Sequence, residues 1–369
     1  MAQRILLLSD VNSPHTRKLV HGLAGAGFVI GIFSLSRRQG DFYAQLPNVT
    51  IFDEAGVDSS TFHASSAGKL GYLKKVGTLK AVIRTFQPSI VHAHYATSYG
   101  LLGWRSGFHP FLISAWGSDV LDFPKGMLKR VLLKKILRSA DALMATSPVL
   151  QRAIKNIAGR NSILTPFGVD TAVFFPKKVE RPFPGDVIVF GTVKALEKVY
   201  GIPVLLDAFA ALKKEMPAAE IRLLIVGDGT QREALAQQAK QLNIENNVLF
   251  TGKVDHAVVA EYHNMLDVLV NISEYESFGV TVLEAMACGK PVIVTDTGGL
   301  AEIVEENVDG LKVSVNNIIA VKEAMRKMLS EELRKRLGEK GREKVMRDYE
   351  WNRTVKLLQT EYERIGGKL

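Results

Sequence analysis

The chain has 369 residues, 47% of them hydrophobic and 23% charged, and 47 Lys and Arg against 38 Asp and Glu leave a formal charge of +9. That length exceeds one ordinary core, so two domains are expected, and the apolar content excludes a disordered chain. The basic balance suits an anionic ligand, a phosphorylated substrate or an anionic membrane surface, and by itself chooses none of them.

In chain order, Ile5 to Leu8 form an apolar run far too short for a signal-peptide core, and they read as a first β-strand. Further short apolar runs fall at 29–35, 89–93, 111–115 and 142–146, then at 187–193, 221–227, 247–251, 268–272 and 291–295. Apolar runs without clean alternation belong to parallel strands covered on both faces, so both halves read as doubly wound α/β. Between the second and third runs, Tyr72, Val76, Leu79, Ile83 and Phe86 share one helical face, while Lys74, Lys80 and Arg84 lie elsewhere on the wheel. No stretch reaches the roughly 18 to 20 apolar residues that span a bilayer, so membrane contact is expected to be peripheral at most.

The segment 124–139 carries Lys125, Lys129, Arg130, Lys134, Lys135 and Arg138 and no acid. It tempts a membrane-surface reading, but on one continuous wheel its apolar and basic residues interleave, which weakens the case for an amphipathic anchor. A partly buried helix with snorkelling lysines accounts for it at least as well. The stretch 165–186 holds four of the 13 prolines and two glycines and separates two strand-helix series. The expected division is therefore an N-terminal domain over 1–168, a linker over 169–184, a C-terminal domain over 185–350 and a final helix over 351–369. Cys288 is the only cysteine, so no internal disulfide can form, and a cytoplasmic location is the default.

The densest chemical signal is "SEYESFGVTVLEAMACGKPVIV" at 273–294, where Glu276 and Glu284 flank a Phe-Gly-Val turn. The run Val280 to Ala287 reads as a helix ending at Gly289, with Ser277 as N-cap and Gly279 allowing close approach of a ligand to the backbone. Its N-terminal N–H groups suit phosphate, and Glu284, about two turns further on, could accept the hydroxyls of a ribose. Glu276 would then face the group beyond the phosphates. The plainer alternative is that both glutamates favour the N-terminal half of a helix dipole.

The stretch "EYESFGVTVLEAMACGKPVIVTDTGGLAEIV" resembles the signature of the retaining glycosyltransferases of family four. In agreement and in order are "FGTVKALEKVYGIPVLLDAFAAL", "LLIVGDGTQREAL", "VLFTGKVDHAVVAEYHNMLDVLV", "TPFGVDTAVFFP", "IVHAHYATSYGLLG" and "ISAWGSDVL". The resemblance is weakest over 40–85. It implies two facing Rossmann-like domains, the GT-B fold, with an interdomain active-site cleft. It also implies transfer of a sugar from a nucleoside-diphosphate-sugar, UDP- or GDP-hexose, to an acceptor hydroxyl with retention, in cell-surface polysaccharide, lipopolysaccharide or glycolipid synthesis. A UDP-sugar 2-epimerase of the same fold and a non-catalytic nucleotide-sugar-binding protein are the alternatives.

Carried over by resemblance, Glu276 meets the donor sugar, with Lys194 and Lys198 neutralising the leaving diphosphate. Glu284, the backbone of Phe278, Gly279 and Val280, and Gly191, Thr192, Lys253 and Val254 complete the donor side. His15, His94, Trp116 and Asp119 stand on the acceptor side, Asp119 being as readily a helix cap. Three departures are notable: Gly191-Thr192 replaces the usual Gly-Arg, Trp116-Gly117 replaces the usual His-Gly, and Asn12-Ser13-Pro14-His15 replaces a glycine pair. The final helix is implied to cross back to the N-terminal domain.

His92 and His94 share a strand face, but no third ligand stands at metal-binding spacing, and a structural or substrate-contacting role is preferred. Gly227-Asp228-Gly229 lacks the full dinucleotide fingerprint and reads as a tight turn. No cofactor and no divalent metal are expected. The expected partners are a nucleotide-sugar donor and a saccharide or lipid-linked acceptor, with weak peripheral membrane contact through 124–139 and no nucleic acid.

Overall fold

The computed structural model describes residues 2–53 and 74–367, which divide into two compact units. The first comprises Met1–Pro166 with Asn352–Leu369, and the second Phe167–Trp351. The proline-rich stretch read as a linker is packed against the second unit: Val169 and Phe174 are buried in one of its core clusters. Val169 also exchanges backbone hydrogen bonds with the chain around Glu350, its N–H donating to the Tyr349 carbonyl at 2.7 Å and its carbonyl accepting from Trp351 at 2.9 Å.

In the first unit the chain runs β1 (Arg4–Leu8), α1 (Pro14–Gly25), β2 (Val29–Phe33), β3 (Val49–Phe52), α2 (Val76–Phe86), β4 (Ile90–His94), α3 (Tyr99–Ser106) and β5 (Phe111–Ala115). It continues through α4 (Ser118–Leu121), α5 (Met127–Ser139), β6 (Ala142–Ala145), α6 (Pro148–Ala158) and β7 (Ile163–Leu164). All seven strands are parallel, in the order β3-β2-β1-β4-β5-β6-β7. In α2, Leu79 and Phe86 are buried, Val76 and Ile83 half-buried, and Lys74, Lys80 and Arg84 exposed, as its wheel requires. Tyr72, placed on the same face by spacing, lies outside the described residues.

The second unit runs β8 (Ile188–Val193), α7 (Ile202–Glu215), β9 (Ile221–Val226), α8 (Arg232–Gln241), β10 (Val248–Gly252), α9 (Val259–Met265), β11 (Val268–Asn271) and α10 (Val280–Ala287). After these come β12 (Val292–Thr295), α11 (Gly298–Ile303), β13 (Leu311–Val313), α12 (Ile318–Lys327) and α13 (Glu331–Asp348). Its six strands are again parallel, ordered β10-β9-β8-β11-β12-β13. Successive residues serve opposite faces: Phe190 and Ile225 enter one core cluster, and Val189, Leu224 and Val226 the other. A sheet buried on both faces explains why these strands read as unbroken apolar runs. The strands that sequence patterning missed, β3, β7 and β13, are two to four residues long, too short to leave a readable apolar run, and lie at sheet edges.

The last helix, α14 (Trp351–Ile365), packs from Asn352 onward with the first unit. Its anchor is Tyr362, fully buried, whose hydroxyl lies 2.6 Å from Nδ1 of His92 on β4. Nε2 of His92 lies 2.8 Å from the Ser114 hydroxyl on β5, and Gln3 donates to the Tyr362 carbonyl at 2.9 Å. With both ring nitrogens of His92 engaged, that histidine has no lone pair to offer a metal. Burial lowers the His92 pKa from 6.5 to about 3 and raises that of the Tyr362 phenol. A neutral imidazole accepting from a neutral phenol on one side and donating to a hydroxyl on the other satisfies both ring nitrogens of His92. Among the described residues, no helix is long and apolar enough to cross a membrane.

Replacing Tyr362 by Phe leaves a buried imidazole nitrogen without its partner and should cost about 1–3 kcal/mol of unfolding free energy, read from urea denaturation. An unchanged midpoint would refute that anchoring. Because the His92 pKa is lowered on folding, the unfolded chain takes up a proton below pH 6.5 that the folded chain refuses. Its contribution is therefore a loss of stability that begins as pH falls through 6.5 and accumulates toward about 3, at a limiting slope of about 1.4 kcal/mol per pH unit. Denaturation curves across that range should show a shallower slope for His92→Gln than for the parent chain.

Candidate functional site

In an open parallel sheet, a crevice forms where strand order reverses, because consecutive connections leave from opposite faces there. In the second unit this reversal lies between β8 and β11. Lys194 follows β8 directly, and the loop after β11 carries Ser273 to Ser277. The Lys194 ammonium and the Glu276 carboxylate form an ion pair across this point, with side chains only 11% and 17% exposed. The same ammonium lies 4.5 Å from the centroid of the Tyr200 ring, and the Ser273 hydroxyl donates to Glu276 at 3.5 Å. Burial, with Glu276 as the next cause, raises the Tyr200 phenol pKa, so Tyr200 stays a neutral donor.

Backbone packing holds the loop 194–201 in place from two sides. Lys194 donates to the Val226 carbonyl at 2.9 Å, and Leu196 to that of Asp228 at 3.0 Å. Gly227, at φ +137°, sits so close that a Cβ there would fall 1.9 Å from the Lys194 carbonyl oxygen, and one on Gly229 would fall 2.6 Å from that of Leu196. The Gly-Asp-Gly turn is thus the seat of the lysine loop, and Thr230 secures it further by donating twice to Glu197, at 3.0 and 2.6 Å. On the far side, a Cβ on Gly201 would lie 2.3 Å from the Ile272 carbonyl oxygen, and Glu274 donates to the Val199 carbonyl at 2.8 Å.

The helix α10 begins at Val280 with Gly279 as its N-cap residue, at φ +120°, a residue with no side chain to accept from the first turn. Ser277, expected as the cap, stands two residues too early because the positive φ at Gly279 places the start of the helix there. The N–H donors of the first turn point outward along the helix axis. Phe278 is buried against the rings of Phe167 and Tyr349, at 5.7 and 6.1 Å, so its side chain is an anchor and only its backbone can serve a ligand. Gly298 and Gly299 let α11 press on this loop: Gly299 donates to the Glu276 carbonyl at 2.7 Å, and a Cβ there would lie 2.5 Å from Phe278 Cα.

Glu284, on the second turn of α10, is only 7% exposed, and its Oε2 lies 3.4 Å from Nε2 of His263 on α9. His263 is fully buried, and among the described residues its Nδ1 has no hydrogen-bond partner. This residue was missed at the sequence level. It is 21 positions from Glu284, and only the packing of α9 on α10 brings them together.

Other expected donor residues fall elsewhere. Gly191 and Thr192 lie inside β8 and are buried, within the apolar run 187–193, because the strand runs on to Val193. A Cβ at Gly191 would meet Leu266 Cδ2 at 2.4 Å and the Leu224 carbonyl oxygen at 2.5 Å, so its role is close packing. Lys198 is exposed at the start of a 3-10 turn, and Lys253 is exposed after β10; neither forms an ion pair among the described residues. Val254 packs against the core cluster on the α10 side of the sheet.

In the first unit the strand order reverses between β1 and β4. Here Nδ1 of His94 lies 3.0 Å from the Ser9 hydroxyl, which in turn lies 2.7 Å from that of Thr16. The His94 ring stacks on Trp116 at 4.7 Å and meets His92 edge-on at 4.6 Å, and His15 on α1 approaches Trp116 at 5.8 Å. Burial, then the neighbouring His92, holds the His94 pKa well below its ordinary value. Three of the four acceptor-side candidates are therefore gathered as one aromatic cluster. The fourth, Asp119, is 1% exposed and accepts from the N–H groups of Ala96 at 2.7 Å, Gly117 at 2.8 Å and Trp116 at 3.3 Å. Burial raises its pKa against those bonds, and its carboxylate clamps two strand-end loops together. Beside it, Tyr95 adopts φ +83°, a conformation unusual for a bulky residue and found mostly where function or packing enforces it.

Comparison with known proteins accords with this geometry. The family described as glycosyl transferases group 1 matches residues 174–344, and the family described as glycosyl transferase 4-like matches 4–147. The chain is 29% identical over 286 residues to N-acetyl-alpha-D-glucosaminyl L-malate synthase of Bacillus anthracis, covering 74% of each. Its structure is similar to that of sucrose-phosphate synthase from Thermosynechococcus elongatus, with TM-score 0.86 and 24% identity over the whole of both chains. It is also similar to Anabaena HepE in complex with UDP and glucose, with TM-score 0.75 and 19% identity over 98% of this chain and 99% of that one. The chain belongs to the group 1 glycosyltransferases, family four, and has the GT-B fold.

Proposed function

We propose that this glycosyltransferase takes a nucleoside-diphosphate-sugar, a UDP- or GDP-hexose, as donor and passes the sugar to a hydroxyl of a saccharide or lipid-linked acceptor in the cytoplasm. In this reading the anomeric configuration is retained and no divalent metal is required. The observation that carries it is the Lys194–Glu276 ion pair at the β8/β11 reversal, beside the N-terminus of α10. HepE, of the same fold, is a UDP and glucose complex, which supports the donor class.

Transfer develops negative charge on the departing diphosphate and positive charge on the sugar ring. The Lys194 ammonium and the N–H groups of Phe278, Gly279 and Val280 meet the first demand, and exposed Lys198 supplies a second cation. Preorganised donors of this kind can neutralise a diphosphate without a metal ion. Glu276 accepts from sugar hydroxyls and positions the ring, and Glu284 accepts from the ribose, its carboxylate oriented by His263. Retention follows when the acceptor attacks from the face the diphosphate leaves, with a donor phosphate oxygen taking the acceptor proton. On the acceptor side, the His15, His94 and Trp116 cluster offers an aromatic surface to a saccharide.

Lys194→Ala should lower kcat by about 10²–10³ with the protein still folded and donor binding much less affected, and the parent enzyme should keep its rate in EDTA. Full activity of Lys194→Ala, or loss of the parent's activity in EDTA, would sink the assignment. Glu284→Gln should weaken UDP binding by about tenfold in calorimetry, and His263→Phe should reproduce part of that loss with little effect on kcat at saturating donor. UDP and GDP affinities unmoved by either substitution would remove Glu284 from the donor site.

A further inference from the structure

The helix α5 has two apolar sets, and only one of them is buried. Leu133, Ile136 and Leu137 face the core of the first unit. Met127 and Leu128, in the first turn, are 82% and 86% exposed, and Val131 is 47% exposed. At 100° per residue, Met127, Val131, Lys134 and Arg138 fall within about 60° of arc, with Leu128 and Lys135 beside them. The outer face is therefore apolar at its N-terminal tip, with the exposed Lys134 and Lys135 behind it. The interleaving on the full wheel arises because the buried and exposed apolar sets occupy opposite sides at opposite ends of the helix.

The charge on this face is unbalanced. Lys134 and Lys135 are exposed, and among the described residues neither forms an ion pair. Two arginines are turned to the body of the unit, Arg130 donating to the Asn156 carbonyl at 3.2 Å and Arg138 to that of Ala158 at 2.8 Å. The helix contains no acidic residue.

We infer that this tip docks on an anionic bilayer surface, with Met127, Leu128 and Val131 entering the boundary between headgroups and acyl chains and the lysines behind them meeting lipid phosphates. Three apolar side chains are too little for a stable protein interface, which needs about 800 Å² from each partner and is depleted of lysine. Shallow insertion beside a basic rim needs only a few apolar groups, because each lysine near an anionic surface multiplies binding by roughly fivefold. A peripheral contact of this kind would hold the enzyme at a membrane where lipid-linked saccharides lie.

The test is co-sedimentation of the full chain with vesicles of equal phosphatidylglycerol and phosphatidylcholine, and with phosphatidylcholine alone. Binding to the anionic vesicles is expected, weakened by raised ionic strength and much weaker on the neutral ones. The double variant Met127→Ser/Leu128→Ser should lose at least tenfold in partition, and Lys134→Glu/Lys135→Glu a similar factor, with thermal unfolding unchanged in both. No partition to anionic vesicles, or partition unaffected by either double variant, overturns the inference. So does a concentration-dependent dimer dissolved by Met127→Ser/Leu128→Ser without vesicle binding, which would assign the tip to contact between copies.

Discussion

The reversal of strand order in each parallel sheet is the constraint on which the rest of this molecule depends. Between β8 and β11 no crossover helix covers the strand ends, so the chain leaving each strand borders a crevice. Whatever follows those strands is brought together irrespective of its distance along the chain, and here Lys194 and Glu276, 82 positions apart, form an ion pair. With side chains about one-tenth to one-fifth exposed, the pair is less screened by solvent than a surface bridge, and a charged ligand entering there would meet preset groups of both signs.

Glycine is the means by which the crevice is shaped. At Gly201, Gly227 and Gly298 a side chain would collide with a backbone oxygen of Ile272, Lys194 and Glu276 in turn. Backbone cannot rotate away as a side chain can, so these positions define how closely the loops approach. The Gly-Asp-Gly turn exemplifies this: with no fingerprint for a dinucleotide, it holds up the loop that carries the lysines.

The first unit solves a different problem, the burial of two histidines. Neutral His92 is stitched between Tyr362 and Ser114, and His94 between Ser9 and the Trp116 ring. The cost of placing imidazoles in an apolar interior is offset by complete hydrogen bonding of His92, and that network also ties the last helix to the central strands. Asp119 has the same character, a buried carboxylate held by three backbone donors. Its oxygens face the loops it joins.

By itself, the sequence determined that there are two doubly wound α/β halves, because strands buried on both faces leave unbroken apolar runs, and ten such runs correspond to β1, β2, β4, β5, β6 and β8 to β12. It also singled out the stretch around Glu276 and Glu284 as the candidate site, through a long contiguous signature and its likeness to a known family. The edge strands β3, β7 and β13 escaped because segments of two to four residues leave little patterning. Tertiary structure alone decided that Lys194 pairs with Glu276 while Lys198 does not, that a Cβ at Gly191 would meet Leu266 and the Leu224 carbonyl, and that His263 stands against Glu284. It also decided which apolar residues of α5 face inward. The physical reason is common to these cases: spacing along a chain specifies the face of an element, whereas contact across elements depends on how closely their backbones pack, and that is set by side chains far away in sequence.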